Sequence, residues 1–313
     1  METRRLNAFI RMVDLGSLTR AAHLLNIAQP ALSQQLVALE ADFGTQLLTR
    51  SRHGVEPTSA GRALYRHAQA ILKLLEQAHV EVKQAREDVS GVVTIGLPLT
   101  AAAILSAPLL AVARARYPNV TIQLADGLPG NLLNELAMNG RVDISLLPGN
   151  VSANGVGVHP LLTERLAFVT SKEAKLGSDD GPVRVRDLEG IPLVLPASNN
   201  RVRQAVDSAF ASVGLRPTVV AEMNSIYSLC SAAAANVGST IVPFAGARVA
   251  APNLCIRLVT EPEIERPIHI AVSDAAPLTA PALAVYALIL DTVAELIEAG
   301  DWPSARLVQR VAA

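Results

Sequence analysis

The hydrophobic positions between residues 17 and 40 form two short runs, each with the spacing of an amphipathic helix. Ser17 can cap the first helix, and Asn26, which tolerates a left-handed backbone, is suited to end it. Pro30 fits the first turn of the second helix, where a missing N–H costs nothing. The pattern therefore predicts a helix-turn-helix. The residues predicted to face inward are Leu18, Ala21, Ala22, Leu25, Ala31, Leu32, Leu36 and Leu39.

The outward face of the second predicted helix is polar and contains no acidic residue. Glutamine can pair bidentately with adenine, and serine can donate to a base edge or accept from it. The alternative is an ordinary helical hairpin whose polar face is solvated. The sequence that follows favours the first interpretation, in which this helix lies in the major groove of DNA. Its candidate DNA contacts are Gln29, Pro30, Ser33 and Gln34.

Residues 47–61, LLTRSRHGVEPTSAG, predict a β-hairpin wing with a turn at Gly54 and a capped helix start at Thr58 or Ser59. Basic side chains in such a wing meet phosphates or the minor groove, which supplies affinity and register rather than sequence choice. Residues 1–66 contain eight arginines, no lysine and five acidic residues, a net charge of about +3 against −1 for the whole chain. The candidate DNA contacts of this segment are Arg50, Arg52, His53 and Thr58.

From Arg62 to about Glu87 the sequence lacks glycine and proline, and its apolar residues recur at alternating steps of four and three. With charged and polar flanks, this is the a/d pattern of a coiled coil. The same stripe also suits a helix buried in a globular core. A dimer formed here would present two recognition helices to the half-sites of a pseudo-palindromic operator. The predicted seam comprises Leu64, Ala68, Ile71, Leu75, Ala78, Val82 and Ala85.

After Ser90 the pattern changes to alternating strands and helices in the order β-α-β-α-β, and a second such series follows. This order predicts parallel sheets with helices on both faces. The chain is expected to pass between two lobes near Leu162–Arg165 and again near Glu265–Pro267, which is the arrangement of the periplasmic binding proteins. The fold class is therefore α/β overall, with an N-terminal winged helix-turn-helix and a long dimerisation helix.

These patterns divide the chain into three segments. The expected ranges are 1–60 for the winged helix-turn-helix, 61–89 for the coiled-coil linker and 90–313 for an effector-binding regulatory domain. Within the last, lobe I is expected at about 91–163 and 267–300, and lobe II at about 164–266.

Ligands of open α/β sheets bind beyond the carboxyl ends of the strands, often at helix N-termini. The free N–H groups of a helix that starts near Arg201 would favour an anion, and Arg201 or Arg203 could grip a carboxylate. The alternative is that these are ordinary loop caps and surface arginines. The candidate effector contacts are Pro98, Thr100, Ala101 and Leu147 in lobe I, and Ser198, Asn199, Arg201 and Asn224 in lobe II.

Other functions find little support in the sequence. It contains no nucleophile elbow, P-loop or zinc-protease motif, so no catalytic residue, cofactor or metal ligand is expected. Cys230 and Cys255 lie in segments that predict a buried helix and an alternating strand, which favours structural thiols over a redox disulfide. The start, METRRLNAF, lacks the core of a secretory signal, and the most apolar window, residues 282–298, contains three acidic residues. A cytoplasmic location is expected, with no membrane partner.

The first ninety residues resemble the DNA-binding half of the LysR-type transcriptional regulators, through AFIRMVDLGSLTRAAHLL, AQPALSQQLVALE, LLTR and PTSAGRALYRHA. LNIAQPALSQQ and LLTRSRHGVEPTSAG are most similar to the nitrogen-assimilation-control branch of that family. Ala28 and Leu48 depart from its commonest pattern, in which Ser and Phe are frequent, and Ala28 gives up a side-chain cap worth ~1 kcal/mol.

The resemblance implies a sequence-specific regulator of transcription, assembled as a dimer or a tetramer and gated by a small molecule bound between two lobes. One alternative is a regulator of the same family that ignores small molecules and is controlled by its own abundance. A second, from a different class, is a solute-binding or enzymatic module tethered to DNA.

Overall fold

The computed structural model of the chain describes residues 3–51, 54–83, 89–127, 130–149, 155–174, 176, 181–274 and 277–308. Its N-terminal part contains three short helices, a two-stranded wing and one long helix. Their bounds are α1 Thr3–Leu15, α2 Leu18–Leu24, α3 Gln29–Phe43, β1 Leu48–Ser51, β2 Gly54–Pro57 and α4 Ser59–Lys83.

Helices α2 and α3 confirm the predicted helix-turn-helix. The Ser17 hydroxyl accepts the N–H of Arg20 at 3.3 Å, and Asn26 adopts a left-handed backbone with φ of 52°. Pro30 lies in the first turn of α3, and Ala28 precedes that helix without a side-chain cap. One expected core residue is wrong: Ala31 is exposed, because the buried side of α3 runs through Leu32, Leu36 and Leu39.

The first part of α4 belongs to the core of the DNA-binding domain. Leu64 and Ala68 are 8% and 0% exposed and pack in one cluster with residues of α1 and α3, and Ile71 packs against that cluster. The assignment of Leu64 and Ala68 to a dimer seam was therefore wrong, since their own chain already covers them, whereas Ile71 is only partly buried and stays a candidate. Leu75 is 37% exposed and remains a candidate seam residue. The side chains of Ala78 and Val82, and residue Ala85, lie outside the described part of the chain.

The regulatory part alternates strands and helices as expected. Its strands are β3 Gly91–Leu97, β4 Val120–Asp126, β5 Ile144–Pro148, β6 Val156–Thr170, β7 Val183–Arg184, β8 Pro192–Leu195, β9 Thr218–Glu222, β10 Thr240–Pro243, β11 Cys255–Thr260, β12 Glu265–Ser273 and β13 Ala305–Leu307. Its helices are α5 Leu99–Arg116, α6 Gly130–Met138, α7 Arg201–Ser212, α8 Ile226–Ala234, α9 Phe244–Ala250 and α10 Ala280–Glu298, with a short 3-10 helix at Val185–Leu188.

Two long strands carry the chain between the lobes. In lobe I, β3 lies between β4 and β5 and is parallel to both, whereas β12 is antiparallel to β5 and to the first part of β6. Beyond Arg165 the same β6 pairs with β10 and β11 of lobe II. The two-lobed architecture is confirmed, but the larger sheet is mixed rather than parallel, because the crossing strands run in opposite directions.

Besides the 3-10 helix at Val185–Leu188, the sequence patterns missed three elements of the regulatory part. Strand β13 pairs with Leu162–Glu164 of β6 beyond the expected end of lobe I at residue 300, and α9 starts directly after Pro243. Strand β7 pairs with the last residues of β11. All three are shorter than eight residues, too short for hydrophobic periodicity to reveal them.

Helices α5 and α10 are long and apolar enough to cross a membrane by length and composition alone. In the structure they pack together in the core of lobe I, where Leu105 and Leu109 of α5 share a buried cluster with Val285, Ile289 and Val293 of α10. Core helices of a globular domain pass the same composition test, and this packing accounts for their hydrophobicity.

Candidate DNA-binding surface and inter-lobe cleft

Helix α3 presents a polar surface of the kind that reads DNA bases. Gln29, Pro30 and Gln34 are exposed and Ser33 is half-buried, with Nε2 of Gln29 donating to Oγ of Ser33 at 3.3 Å. Glutamine amides and a serine hydroxyl can bond to base edges in the major groove. The structure thus brings together the four residues that the sequence selected on this helix.

Two apolar residues on the same face were missed. Val37 is 61% exposed, and Ala31 lies exposed beside the glutamines. Apolar side chains at such positions contact the methyl group of thymine. Val37 follows Ser33 by one helical turn, so the spacing that selected the polar residues also pointed to Val37.

Glu40 fastens α3 to the wing. Its Oε1 accepts the backbone N–H groups of Leu47 at 2.8 Å and Leu48 at 3.3 Å, both of which are buried at the start of β1. One carboxylate therefore sets the distance between the recognition helix and the wing. Because Glu40 precedes these partners by seven and eight residues, helical spacing gave no sign of this role.

The wing is a regular antiparallel pair that rests on the turn between α1 and α2. Strands β1 and β2 pair from Leu48 with Pro57 to Ser51 with Gly54. Val55 donates its N–H to the carbonyl of Gly16 at 3.0 Å, and a Cβ on Gly54, whose φ is +128°, would lie 2.2 Å from the same oxygen. Only glycine fits this approach.

The structure describes only part of the predicted basic contacts of the wing. The backbone of Arg50 pairs with Val55, whereas the side chain of Arg50 and all of Arg52 and His53 lie outside the described residues. Their contacts with DNA stay predictions.

Thr58 has a structural role. Its Oγ1 donates to the carbonyl of Gln46 at 2.8 Å and accepts the N–H of Gly61 at 3.0 Å, so Thr58 rather than Ser59 caps α4. The only proton of the hydroxyl is used inside the chain. We therefore leave Thr58 out of the proposed DNA contacts.

Replacing Glu40 with alanine is expected to lower the free energy of unfolding by about 1–3 kcal/mol, because buried N–H groups of Leu47 and Leu48 lose their acceptor. DNA affinity should fall as well, since the wing is no longer held against α3. Urea unfolding followed by circular dichroism measures the first effect. Glu56→Ala, an exposed position on β2, is the matched control. Equal losses in both variants would contradict the role assigned to Glu40.

At the inter-lobe cleft, Thr100 takes part in a buried polar network. Its Oγ1 accepts a hydrogen bond from Nη2 of Arg266 at 2.6 Å, and Nε of Arg266 donates to Oε1 of Glu164 at 2.5 Å. The second oxygen of Glu164 accepts from Nε1 of Trp302 at 3.3 Å. Glu164 and Arg266 are 2% and 6% exposed. They lie on β6 and β12, where both strands pass between the lobes.

The sequence selected Thr100 but missed its partners. Glu164 and Arg266 fall within the two predicted crossings, and the charged residues on these crossing strands were the available signal. Of the other lobe I candidates, Pro98 is the residue preceding α5, and Ala101 is 1% exposed and belongs to the core of lobe I. Leu147 is 1% exposed in a separate cluster with Leu133 and Ala137. Neither Ala101 nor Leu147 offers its side chain to a ligand in this structure.

The lobe II candidates meet at the start of α7. Ser198 and Asn199 are exposed, and Asn224 accepts the N–H of Ala197 through Oδ1 at 3.2 Å. Arg201 reaches lobe I, since a Cβ placed on Gly149 would lie 3.0 Å from its Cγ.

Arg203, the other arginine predicted to bind a ligand carboxylate, already forms ion pairs within the chain. It donates to Asp207 at 2.9 Å and to Glu222 at 2.8 Å. Arg201 is therefore the stronger candidate to meet a ligand anion.

The cysteines behave as structural thiols. Cys230 and Cys255 are buried and neither forms a disulfide. Burial raises the pKa of the Cys230 thiol to about 11, so it stays protonated at neutral pH. Across the described ranges, no cluster of His, Cys, Asp and Glu could hold a metal ion.

A long helix joins the winged helix-turn-helix to a two-lobed ligand-binding fold. This is the architecture of a class of transcriptional regulators in which one chain contains both the DNA-binding domain and the regulatory domain. Residues 3–62 match the family described as "Bacterial regulatory helix-turn-helix protein, lysR family". Residues 86–294 match the family described as "LysR substrate binding domain". The chain belongs to the LysR family. It is a DNA-binding transcriptional regulator with an effector-binding domain, and not an enzyme.

Relatives and solved structures agree with this assignment. The chain is 37% identical to the nitrogen assimilation regulatory protein nac of Escherichia coli K12, over 96% of this chain and 99% of that protein. It is 36% identical to the protein of the same name from Klebsiella aerogenes, over 94% and 95% of the two chains. A full-length OxyR variant of Pseudomonas aeruginosa has the same fold, with a TM-score of 0.72 at 19% identity and 94% coverage of both chains.

Proposed function

We propose that the chain binds a pseudo-palindromic operator as a dimer or a dimer of dimers, in the cytoplasm, with α3 in the major groove. The observation that carries this proposal is the exposed Gln29, Ser33 and Gln34 surface, which Glu40 holds beside the wing. Arg50 and Arg52 are assigned to phosphates. In vitro selection from random duplexes, followed by DNase I footprinting, tests it. Recovery of two inverted half-sites is expected, and a single unrepeated site would refute binding as a dimer.

We assign the dimer seam to the part of α4 beyond the domain core. Leu64 and Ala68 are covered by their own domain, whereas Leu75 is exposed, and Ala78 and Val82 continue its heptad pattern. Leu75→Asp should therefore shift the protein towards monomer in analytical ultracentrifugation.

The genes under control are proposed to serve nitrogen assimilation. The support is the identity of 37% with a nitrogen assimilation regulatory protein over nearly the full length of both chains. Occupancy of the genome in cells grown with rich and poor nitrogen sources tests the assignment. Binding sites without any relation to nitrogen genes would overturn it.

We propose that the cleft binds a small anion, held by Ser198, Asn199 and Arg201 at the start of α7 and by Thr100 across the cleft. Arg201 is exposed and touches the lobe I loop at Gly149, so one ligand there would contact both lobes. Free N–H groups at a helix N-terminus favour negative charge.

A thermal-shift screen of the full-length protein with carboxylates, amino acids and nitrogen metabolites tests the cleft. A ligand present at about 100 times its Kd should add about 2.7 kcal/mol to the free energy of unfolding and raise Tm by several degrees. Ser198→Ala and Thr100→Val should reduce the shift. Glu173→Ala, at an exposed position that is not among the candidate ligand contacts, serves as the control.

One observation favours the second candidate, a regulator that needs no effector. The Thr100 hydroxyl already accepts from Arg266, and Leu99 packs against a hydrophobic cluster of lobe II. A Cβ on Gly246 of α9 would lie 2.9 Å from Cγ2 of Thr100, so the lobes are in contact here. On this account no compound shifts Tm, and DNA binding follows protein concentration alone.

A further inference from the structure

One arginine of lobe I reaches into the DNA-binding domain. Nη2 of Arg141 donates hydrogen bonds to Oδ1 of Asp14 and to the phenol oxygen of Tyr65. The guanidinium carbon also lies 5.9 Å from the centroid of the Tyr65 ring, within the range of a cation–π contact. We call Asp14, Tyr65 and Arg141 the inter-domain triad. It joins parts of the chain that are 76 and 127 residues apart.

Within the DNA-binding domain, neighbouring side chains fix the position of the Tyr65 hydroxyl. Tyr65 is 8% exposed, its hydroxyl donates to Asp14, and it accepts from Nε2 of Gln69 at 3.0 Å as well as from Arg141. The donor and both acceptor positions of the phenol are therefore used. Burial, followed by the hydrogen bond to Asp14, raises the pKa of Tyr65, so the phenol keeps its proton at neutral pH.

The lobe I side is equally well placed. Arg141 follows Gly140, whose φ is +65°, and its N–H bonds to the carbonyl of Leu136 at 2.9 Å, which closes the end of α6. The next residue, Val142, is 2% exposed, and Asp143 donates its N–H to the carbonyl of Thr94 on β3 at 2.8 Å. The backbone of Arg141 is thus tied to the lobe I sheet, and a shift of that lobe moves the guanidinium.

The contact also corrects an electrostatic mismatch. Asp14 lies in the last turn of α1, where the helix dipole disfavours a negative charge, and that turn contains no basic residue. Arg20 already donates to the carbonyl of Leu15 at this helix end, and Arg141 adds a second positive charge, which comes from the other domain and pairs with Asp14 directly. Its side chain is 45% exposed and that of Asp14 is 23% exposed. Because water partly screens this pair, the contact can form and break without disrupting either core.

We infer that the inter-domain triad is a positioning contact that holds the DNA-binding domain in a defined orientation on lobe I. Tyr65 lies on α4, which continues into the proposed dimer seam, and Asp14 lies in the last turn of α1, which packs against α3. A movement of lobe I is therefore passed to the helices that set the spacing of the two recognition surfaces. The triad links lobe I to the DNA-binding domain by a direct side-chain contact, in addition to the chain connection that follows α4.

The first test needs no operator. Hydrogen–deuterium exchange of the full-length protein compares Arg141→Gln with Arg186→Gln, the same charge change at an exposed position of lobe II. Arg141→Gln should speed exchange severalfold at the C-terminal turn of α1 and in the loop around Gly140. The core of lobe I and the Tm of the protein should stay unchanged. Equal exchange in the two variants would overturn the inference.

A second test asks whether orientation affects DNA. Affinity is measured for a duplex with both selected half-sites and for a duplex with one. Arg141→Gln should weaken binding to the two-site duplex by about three- to tenfold and change one-site binding by less than about twofold. An equal change on both duplexes would show that Arg141 acts on the DNA-binding domain alone.

Exchanging the two charges tests whether the effect of Arg141→Gln comes from the lost ion pair with Asp14 or from a local structural change around residue 141. The combined variant Asp14→Arg with Arg141→Asp restores an ion pair with reversed polarity and places a cation at the C-terminus of α1, where the dipole favours it. It should recover most of the two-site affinity and the slow exchange at the end of α1. A folded double variant that behaves like Arg141→Gln would refute the proposed contact.

Discussion

Replacement of Arg266 by methionine is expected to lower the free energy of unfolding by about 3–5 kcal/mol. Glu164 is 2% exposed, and without Arg266 its carboxylate keeps, among the residues that the structure describes, only the hydrogen bond from Trp302. A buried charge without its partner is costly, because desolvation is no longer offset by attraction. Trp302 is the only tryptophan of the chain, so its fluorescence reports on this site during denaturant unfolding.

Two variants decide whether burial is the cause. Arg306→Met removes an arginine from an exposed ion pair with Glu265, and should cost less than about 1 kcal/mol. The double variant Glu164→Leu with Arg266→Met replaces both charges with apolar groups, and should recover much of the loss. Comparable losses in Arg266→Met and Arg306→Met would show that the buried pair has no special weight.

The hydrogen-bond network of Thr100, Arg266 and Glu164 also distinguishes a regulator gated by a ligand from one that needs no effector. Because Arg266 lies between Thr100 and Glu164, a ligand that bonds to Thr100 must compete with an internal donor. If the cleft is ligand-gated, Thr100→Val should weaken the ligand-induced thermal shift. If the protein needs no effector, Thr100→Val should change stability modestly and leave DNA binding unaltered.

Gln29→Ala and Ser33→Ala are expected to lower the preference for operator DNA by roughly 5- to 150-fold each, with little change in non-specific binding. Both side chains lie on the accessible face of α3 and are joined by a hydrogen bond, so each change also loosens its neighbour. Phosphate contacts are untouched, and non-specific affinity depends mainly on those. Fluorescence anisotropy with operator and scrambled duplexes measures the ratio.

Two further variants make this result specific. Arg52→Ala should weaken binding to both duplexes and reduce the slope of log affinity against log salt by about 0.9, as the loss of one phosphate contact predicts. Gln123→Ala, an exposed glutamine on β4, should change neither quantity. Unchanged sequence preference in Gln29→Ala and Ser33→Ala would show that α3 is not the reading helix.

The helix-turn-helix could be predicted because its determinants are local. Ser17 caps a helix that begins at the next residue, and Asn26 adopts the backbone conformation that ends it. Caps, turn residues and spacings of three and four act within one or two turns. The one error, Ala31, arose because its small side chain fits either the core or the surface.

The extent of the dimer seam could not be predicted in the same way. Ala68 and Leu75 are one heptad apart and have the same place in the pattern, yet one is 0% exposed and the other 37%. What separates them is the position of α1 and α3, which share a core cluster with Ala68 and leave Leu75 exposed. An apolar stripe indicates that one face of a helix is buried, but it does not indicate whether the same chain or a partner chain buries that face.

The winged helix-turn-helix, the order of the three segments, the two lobes and the polar face of α3 are readable in the amino-acid sequence, since each follows from local propensity or from an alternating pattern. Which polar residues meet depends on the folded arrangement of distant segments. Thr100 and Arg266 are 166 residues apart, and Asp14 and Arg141 are 127 apart. Such pairs depend on how strands cross and how domains pack together. The sequence around a charged residue does not reveal which distant residue it will contact.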